Sequence, residues 1–288
     1  MNIRGHEKQE KSDKYCFHIN GFKTKFYFRK IKKKMIIILS SAKTMRIPLS
    51  DVALKTNPMF TDKAALIGAE LKKLSYDEFS SLLKVNGKLG HQAFDMMQQW
   101  LCPVDVKALW AAALMYDGPA FKGLNAHDFS LENQKYAQSH LRIMSGLYGV
   151  LRPYDAIMPY RLEAQTPLSV RDYRNLYAFW NTLPAKSIEA DLKKMKSLLL
   201  INLTSDEYGK MVVPHLSSKV KIINVAFKEM KAGKPFINVV EMKKARGMMA
   251  RFIIQHKIED LESLMAFDSG GYYFEKKLSD DSNLTFLR

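Results

Sequence analysis

The chain has 288 residues, 47% of them hydrophobic, which is enough for a sizeable core in one large domain or two small ones. Its formal net charge of +16 favours a polyanionic partner and carries no information about fold. Two cysteines, Cys16 and Cys102, exclude a disulfide scaffold and fit a reducing cytoplasm, and the longest apolar run, 108–116, has nine residues, too few for a membrane helix.

Residues 1–34 carry eleven Lys/Arg against three Asp/Glu, while the other 254 residues carry thirty-four against twenty-six. An eighth of the chain therefore supplies half of the excess charge. No apolar h-region precedes Met35, so no secretory signal is read there. The segment is expected to be a basic N-terminal extension, either disordered or the product of an upstream start codon, ahead of a domain over 35–288. A nucleic-acid-binding arm is the functional alternative.

At Met35 the run MIIIL predicts a buried strand, followed by SSAKT and a polar loop through Pro48 and Pro58. Residues 61–100 are predicted helical, with a capping box at Ser75–Glu78. A second apolar segment at 111–115 leads into YDGPAFKGL, read as a loop from Gly118, Pro119 and Gly123. Residues 131–144 are predicted as a helix, and 172–196 as broadly helical with an interruption near Pro184. LLLINL (198–203), VKIINV (220–225) and PFINVVEM (235–242) are predicted strands, the last two joined by a hairpin turn at Gly233-Lys234. A helix over 243–256, another from Glu259, and a closing hairpin of YYF with LTFL complete the chain. Strands and helices mix without clean alternation, which predicts one α+β domain with a central, largely buried sheet and surrounding helices.

The seven histidines are scattered and form no metal-ligand spacing, so no metal and no cofactor are expected. No GxGxxG, Walker A or nucleophile-elbow sequence occurs. In KKARGMMARFII (243–254), Ala245, Met248, Met249 and Phe252 share a helix face and form a core stripe. Lys243, Lys244, Gly247, Ala250 and Arg251, with Arg246 at the edge, fall on the opposite face. Four cations without an acid suggest an anion-binding face, against the alternative of a solvated surface. In INLTSDEYGK, Thr204 and Glu207 suit a capping box, while Asp206 and Glu207 after a buried strand could pair with cations or supply a general base. Ser40, Ser41, Lys43 and Thr44 likewise follow a strand and suit an anion. HLRIMSGLYGVLRPYDAIMPY (140–160) places Gly146 and Gly149 between Arg142 and Arg152. A helix, a Gly-x-x-Gly turn and a basic flank resemble a helix-hairpin-helix, whose backbone N–H groups meet a DNA phosphate. The structural alternative is a helix C-cap at Gly146 followed by a packed loop, and Pro153 and Pro159 oppose a regular second helix.

MIIILSSAKT, HLRIMSGLYGVLRPYDAIMPYRLE, LYAFWN, INLTSDEY, KKARGMMARFII and GYYFEKK, in that order over nearly all of 35–288, resemble the YaaA family of peroxide stress proteins. The chain departs from the family pattern in the 34 residues before Met35 and in Ser41, where the family has proline. The resemblance implies a cytoplasmic single-domain protein with a positively charged cleft and a helix-hairpin-helix-like element. It also implies double-stranded DNA binding and protection from peroxide, partly by limiting iron-dependent damage. Carried over residue by residue, the DNA-facing candidates are Lys43, Arg142, Gly146, Gly149, Arg152, Lys243, Lys244, Arg246 and Arg251, with no catalytic set implied. The competing expectation from the residues is an enzyme acting on a nucleotide, nucleobase or damaged DNA through Lys43, Asp206 and Glu207, with Tyr160 and Arg161 nearby. Direct iron sequestration lacks the Glu-x-x-His pairs that a ferritin-like site needs.

Overall fold

The structure is a computed structural model that describes residues 34–49, 52, 54–102 and 109–288. The expectations for residues 1–33, including the basic extension and Cys16, lie outside the described residues.

Strand β1 (Met35–Ser40) forms because its residues suit an extended, doubly covered position, and Met35 through Leu39 are fully buried. Each such side chain contributes about 1.5–3 kcal/mol by leaving water. Three helices follow, α1 (Thr61–Lys72), α2 (Tyr76–Leu83) and α3 (Gly87–Gln99). The expected capping box opens α2: the Ser75 side chain accepts from the Glu78 N–H, and the Glu78 carboxylate accepts from the Ser75 N–H. Next come β2 (Trp110–Ala111), α4 (Ala112–Met115), α5 (Pro119–Leu124) and α6 (Leu131–His140). The chain then forms β3 (Leu141–Ser145), β4 (Gly149–Leu151) and β5 (Ala156–Ile157). Helices α7 (Leu176–Trp180) and α8 (Leu183–Lys194) precede β6 (Leu199–Leu203) and the short α9 (Asp206–Gly209). Pro184 lies in the first turn of α8, where it has no N–H to lose. The remainder is β7 (Lys221–Lys231), β8 (Lys234–Phe236), α10 (Val239–His256), α11 (Leu261–Met265), β9 (Tyr273–Phe274) and β10 (Asn283–Leu287).

The mixed sheet runs β4-β3-β1-β6-β7-β10-β9, with β8 added to β7 as a hairpin and β2 paired with β5 apart from it. Strands β3, β1, β6, β7 and β10 are mutually parallel, and β4 and β9 close the edges antiparallel. This is the expected single mixed domain with a buried central sheet. The expected closing hairpin is β9 with β10, and the hairpin turn expected at Gly233-Lys234 lies one residue earlier, at Ala232-Gly233, where it joins β7 to β8.

Four local expectations are corrected. The Gly146 turn is not a helix-hairpin-helix: α6 stops at His140, and β3 and β4 form a buried hairpin around it. LRIMS is apolar enough to be drawn into the sheet beside β1, which outweighs its helical neighbours. Gly149 sits at φ +68°, and a Cβ there would lie 2.7 Å from the Trp180 ring, so turn and packing both require glycine. The expected loop at 118–124 contains α5, with Gly118 as N-cap and proline starting the helix. VVEM, expected as strand, begins α10 because Asn238 caps it by accepting from the Glu241 N–H. Finally, Thr204 is not the cap of α9. Its hydroxyl donates back to Asn202 Oδ1 at 2.6 Å, and Ser205 takes the N-cap position.

Candidate functional site at the ends of the parallel strands

The chain leaves β1 on one side toward β3 and returns on the other as β6, so the carboxyl ends of these strands form a topological switch point. Short polar residues occupy those ends. The Ser205 N–H donates to Ser40 Oγ at 2.9 Å, tying the end of β6 to that of β1. The Ser41 N–H donates to the Met144 carbonyl at 2.9 Å, tying β1 to β3. Thr44 Oγ1 donates to the Asp117 carbonyl at 2.8 Å, and the Asp117 N–H returns a bond to the Thr44 carbonyl. The SSAKT loop is therefore held against the entry to α5.

Beneath the loop lies a buried chain of hydroxyls. Tyr160 is within 2.6 Å of both Ser145 Oγ and Tyr116 OH, and Ser145 Oγ accepts from the Tyr148 N–H at 2.9 Å. Burial pushes the Tyr160 phenol up to about 12, although bonds from Ser145 and Tyr116 oppose it. Burial holds Tyr116 and Tyr208 well above the ordinary phenol value. These hydroxyls therefore stay protonated at neutral pH and can donate as well as accept.

Charged groups surround the hydroxyls. Lys43 Nζ pairs with Glu163 Oε2 at 2.6 Å, and Arg161 donates to the Lys43 carbonyl at 3.2 Å. Glu207 Oε1 accepts from the Gln165 N–H at 3.3 Å, and Tyr177 OH donates to the Glu207 carbonyl. Burial raises the Glu207 carboxyl; the Glu163 charge adds to this, while the Gln165 N–H and Lys43 oppose it. On α10, burial lowers the Arg246 guanidinium and the Asp206 charge opposes that shift. Such a cluster can hold an anion and accept hydrogen bonds at its carboxylates.

The structure brings together Lys43, Tyr160, Arg161, Asp206, Glu207 and Arg246 from the sequence-based candidates. Sequence reasoning does not reach Glu163, Tyr116, Ser145 and Tyr208; the available signal is their place near strand ends, which requires the topology. The other candidates lie in different settings. Arg142 is 4% exposed; its Nε donates to Asp191 at 2.8 Å, and its remaining donors reach the Gln138, Ser139 and Leu141 carbonyls. Breaking this buried pair would cost about 3–5 kcal/mol, so its donors serve the fold. Arg152 binds Asp155 and the Asn57 carbonyl. Gly146, in the β3–β4 turn, and Gly149, the first residue of β4, are both buried. Arg251 forks onto Asp128 at 2.7 and 2.9 Å.

Lys243 and Lys244 are exposed, whereas Gly247 and Ala250, expected on the same open face, are buried. Helix α5 covers that part of α10 so closely that a Cβ on Gly247 would lie 1.7 Å from the Ala120 carbonyl oxygen. Among the described residues there is no cluster of three metal-ligating side chains, and no helix is long and apolar enough to cross a membrane.

Residues 35–278 match the family described as peroxide stress protein YaaA. The chain is 40% identical over 256 residues to a UPF0246 protein of Saccharophagus degradans, covering 88% of this chain and 99% of that protein. A UPF0246 protein of Teredinibacter turnerae is 38% identical over the same proportions. One from Clostridium botulinum is 37% identical over 268 residues, covering 88% of this chain and 98% of the relative.

Proposed function

The chain belongs to the peroxide stress protein YaaA family, and from that premise we propose that it serves its peroxide-stress role in the cytoplasm by binding double-stranded DNA and limiting peroxide- and iron-dependent damage. The observation that carries this reading is the placement of cations: Lys243 and Lys244 are exposed on the helix that brings Arg246 to the strand-end cluster, where Lys43 also lies. Phosphate contacts of this kind supply affinity that is blind to sequence and falls with salt. Of the nine residues carried over as DNA-facing, Lys243, Lys244 and Arg246 form the proposed contact set, joined by Lys43, whose ammonium pairs with Glu163 but stays exposed enough to meet a phosphate as well. In full-length protein, reversing Lys243 and Lys244 together to Glu should weaken binding to all duplexes alike. It should also make the plot of log K against log salt shallower by about 1.8. Unchanged affinity and slope would reject this surface.

A second reading is favoured by the acids in the cluster. A surface that meets only phosphates gains nothing from Glu163, Asp206 and Glu207 among its cations, whereas an enzyme on a nucleotide, nucleobase or damaged DNA would use them as acceptors and proton carriers. Asp206→Asn and Glu207→Gln should then abolish turnover while leaving duplex affinity intact; loss of neither turnover nor binding would remove this reading.

A further inference from the structure

Among the described residues, four buried side-chain polar atoms have no hydrogen-bond partner: His140 Nε2, Tyr154 OH, Arg161 Nε and Arg246 Nε. Folded proteins satisfy nearly all such atoms, so each exception requires a reason. Two of the four are guanidinium donors, and both belong to the strand-end cluster. Arg161 reaches it through the Lys43 carbonyl, and Lys43 pairs with Glu163. Arg246 lies on α10, which packs against β1 and β6, and its guanidinium feels the charge of Asp206 just past the end of β6. By contrast, Arg142, Arg152 and Arg251, equally cationic, place their guanidinium groups on carboxylates and carbonyls.

A guanidinium never sheds its charge and presents a planar fork matched to phosphate oxygens. A buried Nε without a partner, in a cluster that also holds Lys43, is a donor set for an anion. The neighbouring acids limit the size of that anion. Asp206 and Glu207 would repel a polyphosphate, yet they accept hydrogen bonds from hydroxyl, amino or ring N–H groups. The hydroxyls of Ser41 and Tyr208 are also within the cluster. One phosphate joined to a body rich in N–H and O–H donors satisfies both halves.

We propose that the strand-end cluster binds a nucleoside monophosphate, with Arg161 and Arg246 on the phosphate and the Asp206–Glu207 pair on the sugar or base. This rests on the second reading above and names its ligand class; the shared chemistry, a phosphate, could also be presented by DNA, and the test separates the two sources.

The experiment is calorimetric titration of the full chain with inorganic phosphate, each ribo- and deoxyribonucleoside 5′-monophosphate, the parent nucleosides and a short duplex. At least one monophosphate should bind ten-fold or more tightly than its nucleoside. Arg161→Gln and Arg246→Gln should each weaken it ten-fold or more without lowering the melting temperature. Arg246→Lys, which keeps charge and stem but lacks Nε, should weaken it as well and serves if the glutamine variant fails to fold. Equal binding of nucleotide and nucleoside would overturn the phosphate assignment. Monophosphate binding indifferent to all three variants would overturn the arginine site while leaving the enzyme reading in place. If no monophosphate binds but duplex affinity falls in the arginine variants, the phosphate belongs to DNA and the small-ligand proposal fails.

Discussion

At the scale of single residues, identity matters less than what a group is already bonded to. Arg142 and Arg246 are both arginines from basic stretches, yet Asp191 and three carbonyls engage the former, while the latter keeps a buried donor without a partner. Glu207 gives the sharpest test at this scale. Burial raises its carboxyl above the ordinary 4.5, so the native state holds that proton more tightly than the unfolded chain does. Stability linked to this group is present at low pH and is lost as pH rises from the ordinary carboxylate range through the raised one. Glu207→Gln should therefore raise the melting temperature at neutral pH, with the difference from wild type vanishing near pH 4. A lowered melting temperature at neutral pH would show that the ionised carboxylate is a net stabiliser.

At the scale of elements, close backbone approach builds the wall beside the cluster. Helices α5 and α10 meet at two glycines: a Cβ on Gly123 would lie 2.1 Å from the Lys244 carbonyl, and one on Gly247 would lie 1.7 Å from the Ala120 carbonyl. Alanine is the better helix former by about 1 kcal/mol, which would favour substitution on an isolated helix. The clash opposes it with backbone atoms that cannot rotate away, and overpacking costs about 1–3 kcal/mol or more. The clash wins, so Gly247→Ala should destabilise by about 2 kcal/mol net in urea unfolding. The same change should move Arg246 relative to Asp206 and weaken ligand binding. A stabilised variant would mean that the two helices part without cost.

At the scale of the whole molecule, charge is distributed unevenly. Residues 1–34 hold a surplus of eight positive charges, and the other 254 residues hold the same surplus. Treating 35–288 as the domain, with residues 1–34 as a basic extension ahead of it, remains our proposal. Residues 35–288 alone should bind duplex DNA with a salt slope that is reduced but still steep, because the proposed contacts on α10 and at Lys43 all lie within them. Binding by the full chain alone would move the affinity to the extension and overturn the α10 surface.

The sequence by itself determined the elements whose signals are local. MIIIL is β-branched and apolar enough to predict a buried strand, Ser75 to Glu78 announced a capping box, and the apolar stripe through Ala245 and Met249 lies in the core as its spacing required. The ordered motifs also sufficed to place the chain in its family. Segments that depend on distant partners were decided by the tertiary structure. LRIMS became strand because β1 offered it a parallel edge, and the 118–124 loop became α5 because Gly247 left room for it on α10. The site was half legible: Lys43, Asp206, Glu207 and Arg246 stood out as charges after strands or on a helix. Glu163, Tyr116 and Ser145 did not, since their roles come from meeting residues 15 to 120 positions away. Which cations remain available to a ligand was likewise a tertiary outcome, because a guanidinium is spent or free according to the carboxylates that the fold brings beside it.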